Sequence, residues 1–481
     1  MRGTILTKNK LLVVLTVATI FSFVIINIFY PISRDRHVYA ATATWDLNTS
    51  SEYTYDNTKI EFSAGSAQLK ASGTPGVDWM ATDGSGNNWS SRRKVTFDNR
   101  DSYLGVTSEN LIDFPVLVKL TSSNVDYSKT QDAGQDLRFT DSDGATALSY
   151  EIEKWDESGT SYVWVKVPQI DINSNTDYIY FYYGNSTVAD GQSKTEVWDS
   201  NFRGVWHLND AGPTNATDST TNGYTGTQSG GVTFGAPGKI GPAASFDGSN
   251  DYIGTTAAIT STGKLTMSGW FYMDTYAPSA TNPWYGSRVV VDSGGVAPVL
   301  HRITVTGTSN GKYYGQFNWD GSIAVGNRGE IASATTAPLG SWHFMCITYD
   351  QSNFRLYIDG SQDAASPLAK SYAAQQTSFL NIGKLASSSL AGYWDGYLDE
   401  IRASDAARSA AWVAAEFKSG SDDAFRNYGT ETTFYSAASP AAVPSSGQSY
   451  STLSAFSETL GGGSTGTIKY QVSPDNGSTW Y

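Results

Sequence analysis

After residue 40 the chain alternates apolar and polar residues with the period of β-strands. In "SYVWVKVPQI", for example, Val163, Val165 and Val167 alternate with larger or polar residues, so one face of this strand is predicted to be buried. Similar short runs recur along the chain and are separated by Gly, Asn, Asp and Ser turns. This pattern predicts an all-β fold built from tandem antiparallel β-sandwiches.

The strand candidates fall into two main groups. The first group contains "RRKVTFDN", "FPVLVKL", "DLRFTD", "LSYEIEKWD", "SYVWVKVPQI" and "DYIYFYYGN". The second runs from "GVWHLND" to "GYLDEIRAS". The predicted organisation is a leader at 1–40, a short β segment and linker at 41–91, one sandwich at 92–190, a second at 200–420, and the start of a truncated further β module at 432–481.

Local signals refine the second group. Asp359-Gly360 inside "NFRLYIDGSQ" predicts a tight hairpin turn. Residues 405–420 read as the one soluble helix, with Ser404 as its N-cap and Gly420 as its stop.

The N-terminus is apolar and follows basic residues. Arg2, Lys8 and Lys10 precede the run Leu11–Tyr30, which predicts an N-terminal apolar helix long enough to cross a membrane. A small residue, Ala40, offers a cleavage site. We therefore expect an exported protein, secreted or displayed at the cell surface. The segment is either a cleaved signal peptide or a retained membrane anchor, and the sequence favours neither.

Composition limits the partners. The chain has 481 residues, 32 Lys and Arg against 46 Asp and Glu, and a net charge of −14, which argues against binding nucleic acid. Its single cysteine, Cys346, lies in the apolar run "SWHFMCITYD" and is predicted to be a small core residue.

The order of several motifs resembles known domains. "WSSRRKVTFDN", "YEIEKWD", "VWVKVP", "YFYYGN" and "GVWHLND" resemble an uncharacterised β-sandwich domain, a domain of unknown function found in bacterial surface proteins. "AASFDGSNDYI", "LTMSGWFY", "LYIDG" and "GYLDEIRAS" resemble a LamG-like, concanavalin A-like jelly roll. The resemblance covers about residues 92–420 and implies a two-sheet jelly roll and an extracellular protein, without implying a reaction.

The acidic stretch "EIEKWD" raises the question of a glycoside hydrolase. On one strand Glu151 and Glu153 would lie about 6.7 Å apart, against about 5–5.5 Å for retaining glycosidases. Asp156 lies five residues after Glu151, so it faces the opposite side of the strand unless a bulge intervenes. Lys154 shares a face with Tyr150, where a strand that supports an active site should be apolar. We therefore interpret both glutamates as the solvated face of a half-buried strand.

No further catalytic set is apparent. His207 and His343 each follow a tryptophan inside a predicted strand, which favours a structural role for both histidines. The sequence contains no serine-nucleophile elbow, zinc-protease motif or phosphate loop. The chain is therefore predicted to be non-enzymatic.

The resemblance also implies one structural Ca²⁺ ion, a common feature of LamG-like domains. The best candidate ligands are Asp218 and Asn222 in "ATDSTTNGYTG" and Asp399 in "YLDEIR". These residues could equally form a polar turn and a carboxylate in an ordinary ion pair.

Three tryptophans beside Gly, Asn or Asp are candidates for sugar-binding platforms. These are Trp284, Trp319 and Trp394. Each could equally fill the end of a sandwich core.

The leading prediction is an exported, modular surface protein that binds extracellular polysaccharide, or a surface protein in its place. A stalk or adhesin module is also compatible with the sequence, as is the non-catalytic part of a longer glycan-active enzyme.

Overall fold

The computed structural model describes the backbone of residues 89–212, 215–257, 263–276, 287–294, 300–306, 311–318, 328–364, 366–369, 379–385 and 392–433, and of isolated strands outside them. Residues 91–431 form one compact unit, and residues 1–90 with 432–481 form another. None of the helices described has the length and apolar character needed to cross a membrane.

The N-terminal strands are β1 (Lys10–Thr19), β2 (Ser22–Pro31), β3 (Tyr53–Thr54), β4 (Ile60–Ser63) and β5 (Ser66–Leu69). In the structure β1 and β2 pair antiparallel, with Lys10 opposite Pro31 and Thr19 opposite Ser22. The predicted apolar helix is therefore not seen. The run is rich in Val, Ile and Phe, residues that fit a strand as well as a membrane helix, so its hydrophobicity did not decide between the two.

The first sandwich begins the larger unit. Its elements are β6 (Ser91–Phe97), α1 (Asp101–Leu104), β7 (Leu111–Leu120), β8 (Arg138–Thr140), β9 (Ala147–Leu148), β10 (Tyr150–Lys154), β11 (Ser161–Ile170) and β12 (Tyr178–Tyr183), with 3₁₀ turns at Tyr127–Lys129 and Lys194–Glu196. One sheet has the order β10-β11-β7, and the other contains β6-β12-β8-β9.

The second sandwich follows directly. Its strands are β13 (Phe202–Trp206), β14 (Asn215–Ala216), β15 (Gly226–Ser229), β16 (Thr233–Pro237), β17 (Pro242–Asp247), β18 (Tyr252–Thr255), β19 (Leu265–Met273), β20 (Ser287–Gly294), β21 (Leu300–Thr306), β22 (Lys312–Asn318), β23 (Arg328–Thr336), β24 (Trp342–Tyr349), β25 (Asn353–Ile358), β26 (Ser361–Gln362), β27 (Leu368–Ala369), β28 (Phe379–Ile382) and β29 (Asp395–Ser404). One sheet runs β16-β17-β29-β19-β24-β25-β26, with β13 also paired to β29. The other runs β14-β15-β18-β28-β20-β21-β22-β23. The all-β, antiparallel fold is thus confirmed.

The chain then returns to the first sandwich. Helix α2 (Ala410–Ser421) is followed by a 3₁₀ turn at Asp423–Phe425, β30 (Arg426–Tyr428), β31 (Thr432–Thr433) and β32 (Thr467–Ser473). Strand β30 pairs antiparallel with β6 and so extends the second sheet of the first sandwich.

Helix α2 begins later than predicted. Its N-cap is Ser409, whose hydroxyl accepts a hydrogen bond from Trp412 N, whereas the predicted cap Ser404 is the last residue of β29. Gly420 lies inside the helix, where an added Cβ would approach Ile240 and Trp270 at 3.1–3.3 Å. Close packing, and not a helix stop, accounts for this glycine.

Two apolar cores result. One lies between the sheets of the second sandwich and includes Phe271, Met345 and Ile347. The other is continuous from the first sandwich, through α2, to Trp270 and Phe344 on the outer face of β19 and β24. Both faces of these strands are buried, and all residues of β19 except Tyr272 are accordingly enclosed.

Candidate functional site

The glutamates of β10 are buried at the contact between the two sandwiches. Glu151 is 4% exposed, and the side chain of Glu153 is 0% exposed. The prediction that both face solvent is therefore wrong. The sequence of one strand shows which residues share a face, but it does not show that a second domain covers that face.

A bulge between Ile152 and Lys154 shifts the register of β10 against β11. Beyond it, Asp156 stays near solvent and accepts a hydrogen bond from Lys154 Nζ at 2.8 Å. Of the three acidic residues in "EIEKWD", only Glu151 and Glu153 enter the buried site.

His207, directly after β13, is the centre of this site. Its Nδ1 lies 2.5 Å from Glu400 Oε1 and 3.8 Å from Glu153 Oε2. Its Nε2 lies 3.3 Å from Glu151 Oε2. We call Glu151, Glu153, His207, Glu400 and Arg402 the buried charge cluster.

Hydrogen-bond donors hold the two glutamates of β10 in place. Glu151 accepts from Ser219 Oγ at 2.7 Å and from Trp198 Nε1 at 3.2 Å. Glu153 Oε2 accepts from Trp164 Nε1 at 2.7 Å. Both carboxylates are therefore oriented toward His207.

Arg402 neutralises the other side of the cluster. Its guanidinium donates to Glu400 Oε2 at 2.6 Å and to Glu416 Oε1 at 3.2 Å. The same group lies 4.4 Å from the ring centre of Trp164 and 4.9 Å from that of Trp198. Aromatic faces and carboxylates thus replace water around this cation.

The buried charges shift one another's pKa values. Burial disfavours the imidazolium, but Glu400 and Glu151 outweigh it and raise the pKa of His207 well above its ordinary value. Burial and the charge of Glu400 raise the pKa of Glu153 well above its ordinary value. Burial also opposes the charged form of Glu151, yet the nearby imidazolium gives that carboxyl a lowered pKa.

This geometry keeps polymeric substrates away. His207 and Glu400 are 4% and 2% exposed, so a glycan cannot reach their nitrogen and oxygen atoms without separation of the two sandwiches. Chemically, the cluster can hold protons or a cation, and it joins the two domains.

Sequence reasoning missed this cluster, although a signal was present. Asp399, Glu400 and Arg402 interrupt an otherwise apolar last strand, and Glu151 and Glu153 stand on both sides of Ile152. Charges inside strands that are predicted to be buried require partners. Only the fold shows that these partners come from different domains.

A second feature is an open cleft of about 690 Å³ near the same contact. Its lining includes Glu109, Asn110, Asp113, Lys166, Glu196 and Thr221, together with Trp198, Asp199, Arg408 and Trp412. Arg408 Nη2 donates to Asp199 at 2.8–2.9 Å, and its guanidinium lies 4.1 Å from the ring centre of Trp412. The cleft thus combines carboxylates, amides and cations with two indoles.

The predicted aromatic platforms are only partly described. Trp394 is 0% exposed, and its Nε1 donates to Tyr397 O at 3.2 Å. Trp394 therefore fills the core of the second sandwich and cannot present its ring to a sugar. Trp284 and Trp319 lie outside the described residues.

The predicted calcium ligands are engaged within the fold. Asp218 accepts hydrogen bonds from the backbone N–H groups of Val205, Thr220 and Tyr224 at 2.8–3.0 Å, which organises the turn after β14. Asn222 Nδ2 donates to the carbonyl of Phe202 at 3.0 Å. The calcium site at these residues stays a prediction.

Asp399 lies on β29. Its Oδ2 accepts from Lys239 N and Ile240 N, both at 2.8 Å, while its Oδ1 is buried without a hydrogen-bond partner. Burial and the adjacent Glu400 raise its pKa well above the ordinary value.

Several solved structures are similar to part of this chain at low identity. Domain 4 of the extracellular arabinanase AbnA from Geobacillus stearothermophilus, in complex with arabinotriose, is 18% identical over 44% of this chain and 97% of that chain, with a TM-score of 0.34. The binding domain of botulinum neurotoxin DC in complex with SialylT is 11% identical over 46% of this chain and 51% of that chain, with a TM-score of 0.34. A heptameric pentraxin from Limulus polyphemus is 13% identical over 34% and 74%, with a TM-score of 0.27. These TM-scores are too low to support a functional argument.

Family models match both sandwiches. Residues 133–220 match a domain of unknown function, DUF2341, and residues 247–414 match the concanavalin A-like lectin/glucanases superfamily. No curated protein matches the chain. The chain therefore carries a DUF2341 domain followed by a concanavalin A-like lectin/glucanase domain, which is the architecture that its motifs predict.

Proposed function

We propose that this protein binds extracellular carbohydrate without acting on it. The observation that carries the proposal is the match of residues 247–414 to the concanavalin A-like lectin/glucanase model. The buried charge cluster supports the non-enzymatic part, since its carboxylates and imidazole are enclosed between the sandwiches.

The open cleft is the preferred location of the sugar among the described residues. Its volume of about 690 Å³ falls within the range of ordinary ligand sites, about 300–1,000 Å³. Lys166 and Glu196 offer a cation and a carboxylate for hydroxyl groups, and Trp198 offers an apolar edge. The segments that carry Trp284 and Trp319 are the second candidate location.

A binding screen on the full chain tests the proposal. Soluble polysaccharides and immobilised glycans are presented with Ca²⁺ and again with EDTA, so the screen also tests the predicted calcium site. We expect one sugar class to bind. Lack of binding across the panel in both buffers would reject the function.

Variants then locate the site. Lys166→Ala and Glu196→Ala should each weaken binding about tenfold or more, equivalent to ~1.4 kcal/mol. Lys264→Ala is the control, because Lys264 is exposed and does not line the cleft. If Trp284→Ala or Trp319→Ala abolishes binding while the cleft variants bind normally, the site lies at these tryptophans.

Export is also part of the proposal. The basic residues before the apolar run Leu11–Tyr30 support transfer across a membrane. N-terminal sequencing of the protein from cells distinguishes cleavage after Ala40 from retention as an anchor, and recovery in the cytoplasm with an intact N-terminus would contradict export.

The shared apolar core of the two sandwiches favours a second candidate, a spacer in a surface stalk. Their apolar core is continuous through α2. A spacer would show high resistance to proteolysis and no glycan binding.

A further inference from the structure

Three side chains from three separate parts of the chain converge inside the buried charge cluster. Glu153 comes from β10, His207 follows β13, and Glu400 comes from β29. One ligand atom from each lies within 4.8 Å of the other two. Among the residues that the structure describes, this is the one group of His, Cys, Asp and Glu side chains that meets this condition.

The surroundings of these three side chains resemble the outer shell of a metal site. His207 turns Nδ1 toward Glu153 and Glu400, while its Nε2 faces Glu151 Oε2 at 3.3 Å. A carboxylate on the far nitrogen fixes the orientation of a ligating histidine. Arg402 holds Glu400 in the same way, through its outer oxygen Oε2.

One carboxylate oxygen in the cluster has no partner. The side chain of Glu153 is 0% exposed, and its Oε1 atom accepts no hydrogen bond. Trp164 satisfies only Oε2. A buried carboxylate is costly unless it is paired or coordinates a metal, so the geometry calls for a cation here.

The donor set selects the kind of cation. An imidazole nitrogen with two carboxylate oxygens suits Zn²⁺ and related divalent transition metals, whereas Ca²⁺ and Mg²⁺ prefer oxygen ligands alone. Bonds of about 2.0–2.2 Å at tetrahedral angles place ligand atoms ~3.3 Å apart. His207 Nδ1 lies 2.5 Å from Glu400 Oε1 and 3.8 Å from Glu153 Oε2, each within about 1 Å of this value, and the three ligand atoms lie within 4.8 Å of one another.

We propose that Glu153, His207 and Glu400 bind one divalent transition metal ion, Zn²⁺ in the first place, which links the two sandwiches. Glu153 belongs to the first sandwich, whereas Glu400 belongs to the second. Binding therefore stabilises the contact between the domains.

Metal content of the full chain tests the proposal. The chain is unfolded with chelator, refolded with and without ZnCl₂, and dialysed, and zinc per chain is measured by inductively coupled plasma mass spectrometry. We expect about one equivalent, together with a higher unfolding temperature for the zinc-loaded chain. Less than half an equivalent bound by the wild-type chain overturns the proposal.

Glu153→Gln keeps the size of the side chain and removes its charge, and it should lower zinc affinity at least tenfold. His207→Gln should remove binding. His343→Gln is the matched control, because His343 also has a carboxylate at 2.9 Å from Nδ1 but lies outside the cluster. Zinc content that is unchanged in Glu153→Gln, or lost in His343→Gln, contradicts the assignment.

X-ray absorption of the zinc-loaded wild-type chain decides the matter if a variant does not fold. One imidazole and otherwise oxygen ligands at about 2.0–2.1 Å support the site. Two or more imidazoles, or a sulfur ligand, place the metal elsewhere and overturn the proposal.

Discussion

Arg402 shows how one buried residue depends on its surroundings. Its guanidinium is enclosed by Glu400, Glu416 and two indole rings and is only 3% exposed. The Coulomb attraction within such a group offsets a large loss of hydration. Removing the cation leaves carboxylates buried without their partner, which costs more than the original pair contributed.

Arg402→Met is expected to destabilise the folded protein by about 3–5 kcal/mol. Arg355→Met is the matched control. Its partner Asp350 is at 2.6 Å, but both side chains remain about a quarter exposed, so the loss should stay below ~1 kcal/mol. Urea unfolding followed by tryptophan fluorescence measures both values. Equal effects would show that burial does not control the strength of these pairs.

The buried carboxyl group of Asp405 should make the stability of the fold depend on pH. Burial raises its pKa to about 6, and Arg203 at 3.4 Å only partly opposes this shift. The folded protein thus holds the proton more tightly than the unfolded chain does. The contribution of Asp405 to stability is complete below its ordinary pKa of 3.8 and is lost as pH rises through about 6.

Asp405→Asn should remove this loss. The difference in unfolding temperature between variant and wild type should therefore move in favour of the variant from about pH 4 to about pH 7. The remaining carboxylates cancel in this difference, because both proteins contain them. A difference that stays constant across the range would show that the carboxyl of Asp405 titrates normally.

For single residues, the sequence predicts burial correctly where the pattern of one strand is enough to determine it. Cys346 was predicted to be a small core residue and is 0% exposed. Glu151 and Glu153 were placed in solvent, because strand parity cannot reveal the domain that packs over β10. The partners of His207 lie 56 and 193 residues away from it, beyond the reach of local pattern.

At the scale of elements, the hairpin turn and helix α2 depend on each other. Asp359 and Gly360 have φ angles of 48° and 77°, as the predicted tight turn requires. A Cβ added at Gly360 would lie 2.8 Å from the side chain of Phe417 on α2. The turn is thus specified twice, by its backbone angle and by the helix packed over it.

Comparison of two glycines separates these two causes. Gly360→Ala and Gly105→Ala both force alanine into a left-handed conformation, since Gly105 has φ of 74°, but nothing lies within 4 Å of the new methyl group at Gly105. Strain of about 1–2 kcal/mol is expected at both sites. Overpacking against Phe417 should add about 1–3 kcal/mol at Gly360 alone.

Chemical denaturation of the two variants measures this difference. Equal losses at both sites would mean that α2 moves away from the turn without cost.

The error in the start of α2 has the same origin as the missed buried cluster. Ser404 is a good cap by composition, yet its backbone remains in β29, where it pairs with Phe202 and Thr266. Sheet pairing overrides the local helix signal.

At the scale of the molecule, the order of the domains was predictable and their interleaving was not. Motif order identified both sandwiches, because each motif is local. The return of the chain through α2 to β30 depends on contacts with residues more than 300 positions earlier. Arg426 donates to Leu117 O at 2.8 Å, and Tyr428 OH donates to Lys119 O at 2.6 Å.

This return predicts that the two sandwiches fold as one unit. A fragment of residues 91–431 should unfold in a single transition, whereas a fragment of residues 91–420 should have a clearly lower midpoint and a tendency to aggregate. The shorter fragment lacks β30, so the backbone of β6 loses its neighbour along that edge. Differential scanning calorimetry and light scattering measure both properties.

Point variants in the longer fragment show whether residues 421–431 couple the two sandwiches through the packing of their side chains. Phe425 is 0% exposed in the shared core, and Phe425→Ala should cost about 3–5 kcal/mol. Asn427→Ala is the control, since its exposed side chain can be removed while its backbone still pairs with Thr96. If Phe425→Ala splits the transition in two, the returning segment is what couples the sandwiches. If both variants and the shorter fragment unfold like the parent fragment, the first sandwich is complete without residues 421–431, and the coupling must come from the buried charge cluster and the apolar core that continues through α2.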